Sequence, residues 1–174
     1  MNRRQTLSAL SLAAIAAPSF ALAQASDQNR PSAAEGEHIT ATLDAGKMTL
    51  EASRVALSKA TDPAIKRFAQ LEAAEQETIA EVFSSRVERS QNAPPKVDAD
   101  AKSAIDSVHA QQAGPAFDKA YLAGQMEGHR KLLAIQEAYL SNGRDPRQRG
   151  LAMLMRGHIK EHILELEVLQ KDMA

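Results

Sequence analysis

The chain has 174 residues, with 21 basic against 22 acidic side chains, no cysteine, no tryptophan and only 3% aromatic residues. The balanced charge argues against nucleic acid as a main partner, which demands a basic face. The missing cysteine excludes disulfides, thiolate metal sites, cysteine nucleophiles and a lipid anchor at an N-terminal cysteine. Abundant Ala, Leu, Met and Glu, without alternating β-branched runs, predicts an all-helical protein.

At the start of the chain, Arg3 and Arg4 precede an Ala/Leu-rich stretch from Leu7 to Ala17 and the small-x-small triplet Ala21-Leu22-Ala23. These are the parts of an export signal over residues 1–23, cleaved near Ala23. The apolar run is too short for a membrane span, and the paired arginines are compatible with general or twin-arginine export. Cleavage leaves 19 basic against 22 acidic residues. The mature protein is expected in the periplasm, with no transmembrane segment and no lipid anchor. Its length suits one domain with its own core.

Residues 24–35 are expected as a flexible linker and 36–174 as the folded domain. A first long helix is predicted from Gly36 to Ala60, with Ile39, Leu43, Leu50 and Leu57 on one face. Thr61-Asp62-Pro63 ends it and starts a second, with Asp62 as N-cap and Pro63 at the first helical position, running to Arg89. Ser90 to Val97, with Pro94-Pro95, is expected as a loop. A shorter helix follows from Asp98 to Gln111. A third long helix spans Pro115 to Leu140, and Asp145-Pro146 opens a fourth that runs to Lys171. Four long helices with mostly short connections predict an antiparallel four-helix bundle in up-down-up-down order, the second and fourth long helices parallel. The short helix is expected across one end.

Inside this scheme two carboxylates occupy core positions. Ile65, Phe68, Glu72, Glu75, Ile79 and Val82 recur at three- and four-residue steps, so Glu72 and Glu75 lie on the apolar stripe. A buried carboxylate must be paired, protonated or bound to a cation. On the third long helix Gln125, His129 and Gln136 hold the middle of the apolar arc. On the fourth, His162 does, with His158 and Glu165 toward one edge. All fall near mid-height. Glu72, Glu75, His129, His158 and His162 are therefore the candidate ligands, and mixed carboxylate and imidazole ligation suits iron, manganese or zinc better than calcium. A metal-free buried Glu–His–Gln network, or side chains turned to solvent, accounts for the same pattern.

The remaining candidates read as ordinary packing or surface. Met126, Met153 and Met155 are expected to pack; Arg144, Arg147, Arg149 and Arg156 to be solvated; His38 and His109 to be exposed. Glu51 lies roughly 100° from the middle of its helix's apolar arc on a 3.6-residue wheel. No Gly-rich phosphate loop, nucleophile elbow or HExxH motif occurs.

The run Glu51-Ala52-Ser53-Arg54-Val55-Ala56-Leu57-Ser58-Lys59-Ala60, then Ala64-Ile65-Lys66-Arg67-Phe68-Ala69-Gln70, resembles the opening of the DUF4142 domain. So does Phe117-Asp118-Lys119-Ala120-Tyr121-Leu122 with His129 eight residues after Tyr121. The resemblance covers about Glu37 to Leu169. It implies an exported bacterial protein with a ferritin-like helical bundle, and implies no particular reaction. Glu51, His129 and His158 match the family's glutamate and histidines on the first, third and fourth long helices. The family's Asp-His on the second helix is replaced by Glu75-Gln76, and His162 is an addition. Ferritin-type di-iron sites use Glu-x-x-His pairs, and none of the candidate ligands Glu72, Glu75, His129, His158 and His162 belongs to one. Three functions follow as expectations: a metal-binding bundle, a non-catalytic envelope protein with a protein or cell-wall partner, and a redox enzyme with a dinuclear centre. Oligomeric state is left open.

Overall fold

A computed structural model describes residues 31–90 and 99–173. The expected signal segment, the linker up to Arg30 and nearly all of the loop expected from Ser90 to Val97 lie outside the described residues. Those described form five helices: α1 (Ala33–Lys59), α2 (Pro63–Ser90), α3 (Ala99–Ala110), α4 (Pro115–Asn142) and α5 (Pro146–Asp172). Among the described residues there is no strand, and no helix is long and apolar enough to cross a membrane.

The helix ends follow from local chemistry. Asp62 Oδ1 accepts from the backbone N–H groups of Ala64 (2.7 Å) and Ile65 (3.2 Å), and Pro63 supplies a preset φ at the first position of α2. Asp145 does the same for α5 through the Gln148 N–H at 2.7 Å. α1 begins three residues before the expected Gly36, because Ser32 and Glu35 form a capping box that satisfies two orphan donors. At the end of α4, Gly143 has an extended backbone any residue adopts. It is glycine because a Cβ there would lie 2.1 Å from the Tyr139 ring.

α1 packs against α2 and α4, and α4 against α5. The α1–α4 seam is a series of buried polar contacts. Tyr139 Oη donates to Glu35 Oε1 (3.0 Å), His38 Nε2 meets Gln136 Oε1 (2.7 Å), and Gln136 Nε2 donates to Thr42 Oγ1 (3.2 Å). Gln125 Nε2 donates to the Thr49 carbonyl (3.0 Å), and Ser53 Oγ meets Tyr121 Oη (2.9 Å). Numbers rise along α1 as they fall along α4, so the two run antiparallel. Gly128 permits the close approach, since a Cβ there would lie 2.5 Å from Thr49 Cγ2.

Two expectations fail on this seam. His38 is 3% exposed rather than on the surface, and Leu57, expected on the apolar face, is 43% exposed. The buried face of α1 joins Ile39, Leu50 and Val55 to Glu35, His38, Thr42, Thr49 and Ser53, so its large apolar residues mark only part of it.

The directions of α4 and α5 are a further correction. Asp118, at the start of α4, accepts from Thr61 N–H (3.0 Å), Thr61 Oγ1 (2.6 Å) and Asp62 N–H (3.1 Å), at the start of α2. α2 and α4 therefore set out from the same end and run parallel. α5 returns antiparallel to both, as the pairs Glu72–His162, Glu75–His158 and Arg86–Asp145 show. The up-down-up-down order fails because the connection through α3 carries the chain back along the molecule before α4 starts. α3 ends beside the α1–α2 turn, where Lys59 Nζ donates to the carbonyls of His109 and Gln111, both at 2.5 Å.

Two apolar clusters fill the interior. One holds Ile65, Phe68, Phe117, Leu122, Met126 and Leu166; the other holds Ile39, Phe83, Leu132, Met155 and Ile159. Each buried side chain of this size contributes about 1.5–3 kcal/mol. On α2 the stripe ends on buried Phe83, while Val82 is 40% exposed. Along α2, α4 and α5 the polar layer of Glu72, His129 and His162 falls between the two clusters.

Candidate metal centre

Three side chains from three helices meet in that layer. Glu72 Oε2 lies 3.3 Å from His129 Nε2 and 3.2 Å from His162 Nδ1, and the two nitrogens lie 3.1 Å apart. Glu72 is fully buried and His129 is 1% exposed. The Phe68 ring walls the site, its centroid 6.0 Å from that of His129 and 5.5 Å from that of His162.

The proton count of this triangle is decided by its neighbours. His129 Nδ1 lies 2.8 Å from the Gln125 carbonyl, which only accepts, so the proton is on Nδ1 and the neutral ring points a lone pair from Nε2. His162 Nε2 faces Glu75 Oε2 at 3.4 Å, and a carboxylate likewise only accepts, which leaves the lone pair on Nδ1. Three electron-rich atoms thus converge. One added proton serves two edges of the triangle and leaves the third as lone pair against lone pair; two added protons set N–H against N–H at 3.1 Å. Neither Glu72 oxygen finds a donor with hydrogen-bond geometry among the described residues. A single cation held by Glu72, His129 and His162 would satisfy all three atoms at once.

Burial pushes the Glu72 carboxyl up, but donation and positive charge from the His129 and His162 rings outweigh it and hold the group well below the usual carboxylate range. Burial lowers His162, and Glu72, Glu75 and Glu165 overcome it, so its pKa is raised. Both shifts are those of a carboxylate beside a protonated ring, the one-proton arrangement that still leaves an edge of the triangle unsatisfied.

Beyond His162 the cluster continues outward. Glu75 Oε1 lies 3.1 Å from His158 Nδ1, with the His158 side chain 53% exposed and that of Glu75 18% exposed. Glu75, His158 and His162 again offer three ligand atoms within 4.8 Å of one another. Glu75 and His158 line a groove of about 600 Å³ between α2 and α5, together with Thr78, Met153, Leu154 and Glu161.

The structure brings all five candidate ligands into one continuous cluster. It leaves Glu51 aside, paired with Arg54 at 2.7 Å. Gln136 belongs to His38 and Thr42 instead. Met126 and Met155 pack in the core, Met153 is 48% exposed, and His109 is exposed as expected. Arg149 donates to the carbonyls of Leu140 (2.7 Å) and Gly143 (2.9 Å), a capping role that composition did not mark. A further hollow of about 150 Å³, beside His38 and Tyr139, holds no comparable ligand set.

A family described as a domain of unknown function (DUF4142) matches residues 20–169. No curated protein and no solved structure matches the chain.

Proposed function

The chain belongs to the DUF4142 family, and on that footing we propose that it is an exported, metal-binding protein with a ferritin-like four-helix bundle. One divalent transition-metal ion is held by Glu72, His129 and His162. The observation that carries this reading is the converging triangle, in which no arrangement of protons satisfies all three edges. Two nitrogens and one oxygen suit zinc, iron or manganese. Glu75 and the Gln125 carbonyl hold the outer nitrogens of the two rings and so aim the inner ones. The leader over residues 1–23 supports export to the periplasm. The up-down-down-up course of α1, α2, α4 and α5 supports the ferritin-like reading.

The test is metal content by mass spectrometry on untagged protein isolated from the periplasm. Near-stoichiometric zinc, iron or manganese is expected. Metal-free protein that shows no thermal shift on adding any of the three would overturn the reading.

A second reading, a non-catalytic envelope protein with a protein partner, is favoured by one observation. Leu154, Leu164 and Val168 stand 58–74% exposed on α5.

A further inference from the structure

We infer that the cluster is a two-ion centre, in which the His162 ring bridges the buried ion to a second, groove-facing ion held by Glu75 and His158. This rests on the inner site being a metal site.

The geometry begins with the ring itself. His162 presents Nδ1 to Glu72 and His129 and Nε2 to Glu75, so both nitrogens already face ligand sets. The Glu75 carboxylate spans the outer set, with Oε2 3.4 Å from His162 Nε2 and Oε1 3.1 Å from His158 Nδ1. The two histidine rings are 4.7 Å apart between centroids and inclined at 42°, and one ligand atom from each lies within 4.8 Å of the other and of Glu75. An ion bound there takes the place of the His162 Nε2 proton, which leaves to solvent, and the ring becomes a shared imidazolate. With metal–nitrogen bonds of about 2.0–2.1 Å the two ions stand about 6 Å apart.

The two sites differ in access. The inner one is sealed by Phe68 and the apolar clusters. Glu75 and His158 of the outer one line the α2–α5 groove, together with Glu161. Its remaining coordination positions face solvent, so this ion exchanges first and is the one that a small anionic ligand reaches. His162, which the sequence marked as one candidate ligand among five, is thereby the residue that couples a buried ion to a reachable one.

Cobalt(II) binding, measured by mass spectrometry after dialysis, tests this on the periplasmic protein. Two equivalents are expected for the wild type and one for His158→Ala; a half-exposed side chain makes that substitution compatible with folding. One equivalent in both wild type and His158→Ala, or two in both, overturns the outer site while leaving the inner one standing. No bound cobalt in either overturns the inner site and this inference together. Copper(II) tests the bridge: a spin-coupled pair in the wild type, replaced by an isolated-ion signal in His158→Ala, supports it. Two uncoupled ions in the wild type overturn it.

Discussion

His129 Nε2 and His162 Nδ1 stand 3.1 Å apart, each within 3.3 Å of the same oxygen of Glu72. Their outer nitrogens are engaged by a backbone carbonyl and by Glu75. Glu72→Gln keeps the shape and removes the charge. Zinc at a hundredfold excess over its dissociation constant stabilises a single-site protein by about 2.7 kcal/mol. For a domain of this size that is a melting-temperature rise of about 5–10 °C. The rise is expected in the wild type and absent in Glu72→Gln, as read by thermal unfolding with and without zinc.

Glu75→Ala combined with His162→Ala separates an ion site from a structural network. The expected result is loss of the zinc-dependent rise, with the zinc-free melting temperature changed much less. Equal destabilisation of the zinc-free protein would mean that the layer serves packing alone.

Gly128→Ala forces a methyl to within 2.5 Å of Thr49 Cγ2 across the α1–α4 seam. Overpacking of this kind costs about 1–3 kcal/mol, more than the roughly 1 kcal/mol by which alanine favours a helix over glycine. Urea denaturation should show a net loss. Adding Thr49→Ser, which deletes the offending methyl and keeps the hydroxyl bond to the Gly46 carbonyl, should restore wild-type stability or exceed it.

Buried His38 is held below its ordinary pKa of 6.5 by burial, with Arg86 adding to the effect and the Gln136 hydrogen bond and Glu35 opposing it. The unfolded chain therefore takes up this proton first, and the penalty grows as pH falls below 6.5 toward the folded value. Glu35 and Glu72, both lowered from 4.5, remain ionised in that window. His162, raised from 6.5, acts with the opposite sign. The difference between wild type and His38→Gln isolates the His38 part. In zinc-free protein the wild type should lose stability relative to the variant between pH 6.5 and pH 5, by at most about 1.4 kcal/mol per pH unit.

Asp118→Ala removes the acceptor that ties the α1–α2 turn to α4 and strands two backbone donors, Thr61 N–H and Asp62 N–H. Bonds to a buried charge are worth about 1.5–3 kcal/mol each, with some recovered by water at the partly exposed turn. A loss of about 3 kcal/mol is expected from chemical denaturation.

Local chemistry made the helices legible. Asp62-Pro63 and Asp145-Pro146 announce their caps in the sequence, and Glu72, His129 and His162 stand out as polar groups on apolar arcs. Their shared level was also legible, because residues near mid-helix stay level whichever way a helix runs. For the same reason the wrong directions of α4 and α5 did no harm to the candidate site. That direction was hidden because nothing local to residues 91–114 says how far the connection travels. His38 was missed because threonine, serine and glycine give a buried face no hydropathic contrast. Phe83 rather than Val82 ends the stripe because a stripe drifting at 3.6 residues per turn reaches the core eleven residues after Glu72 rather than ten.

The two imidazoles of the inner site are anchored differently. His129 is held by a carbonyl of its own helix, one turn back, whereas His162 leans on a carboxylate from another helix. One jaw is therefore fixed within its own helix and the other is shared between two. A larger ion would be expected to displace α5 against α2, where the groove opens, rather than α4.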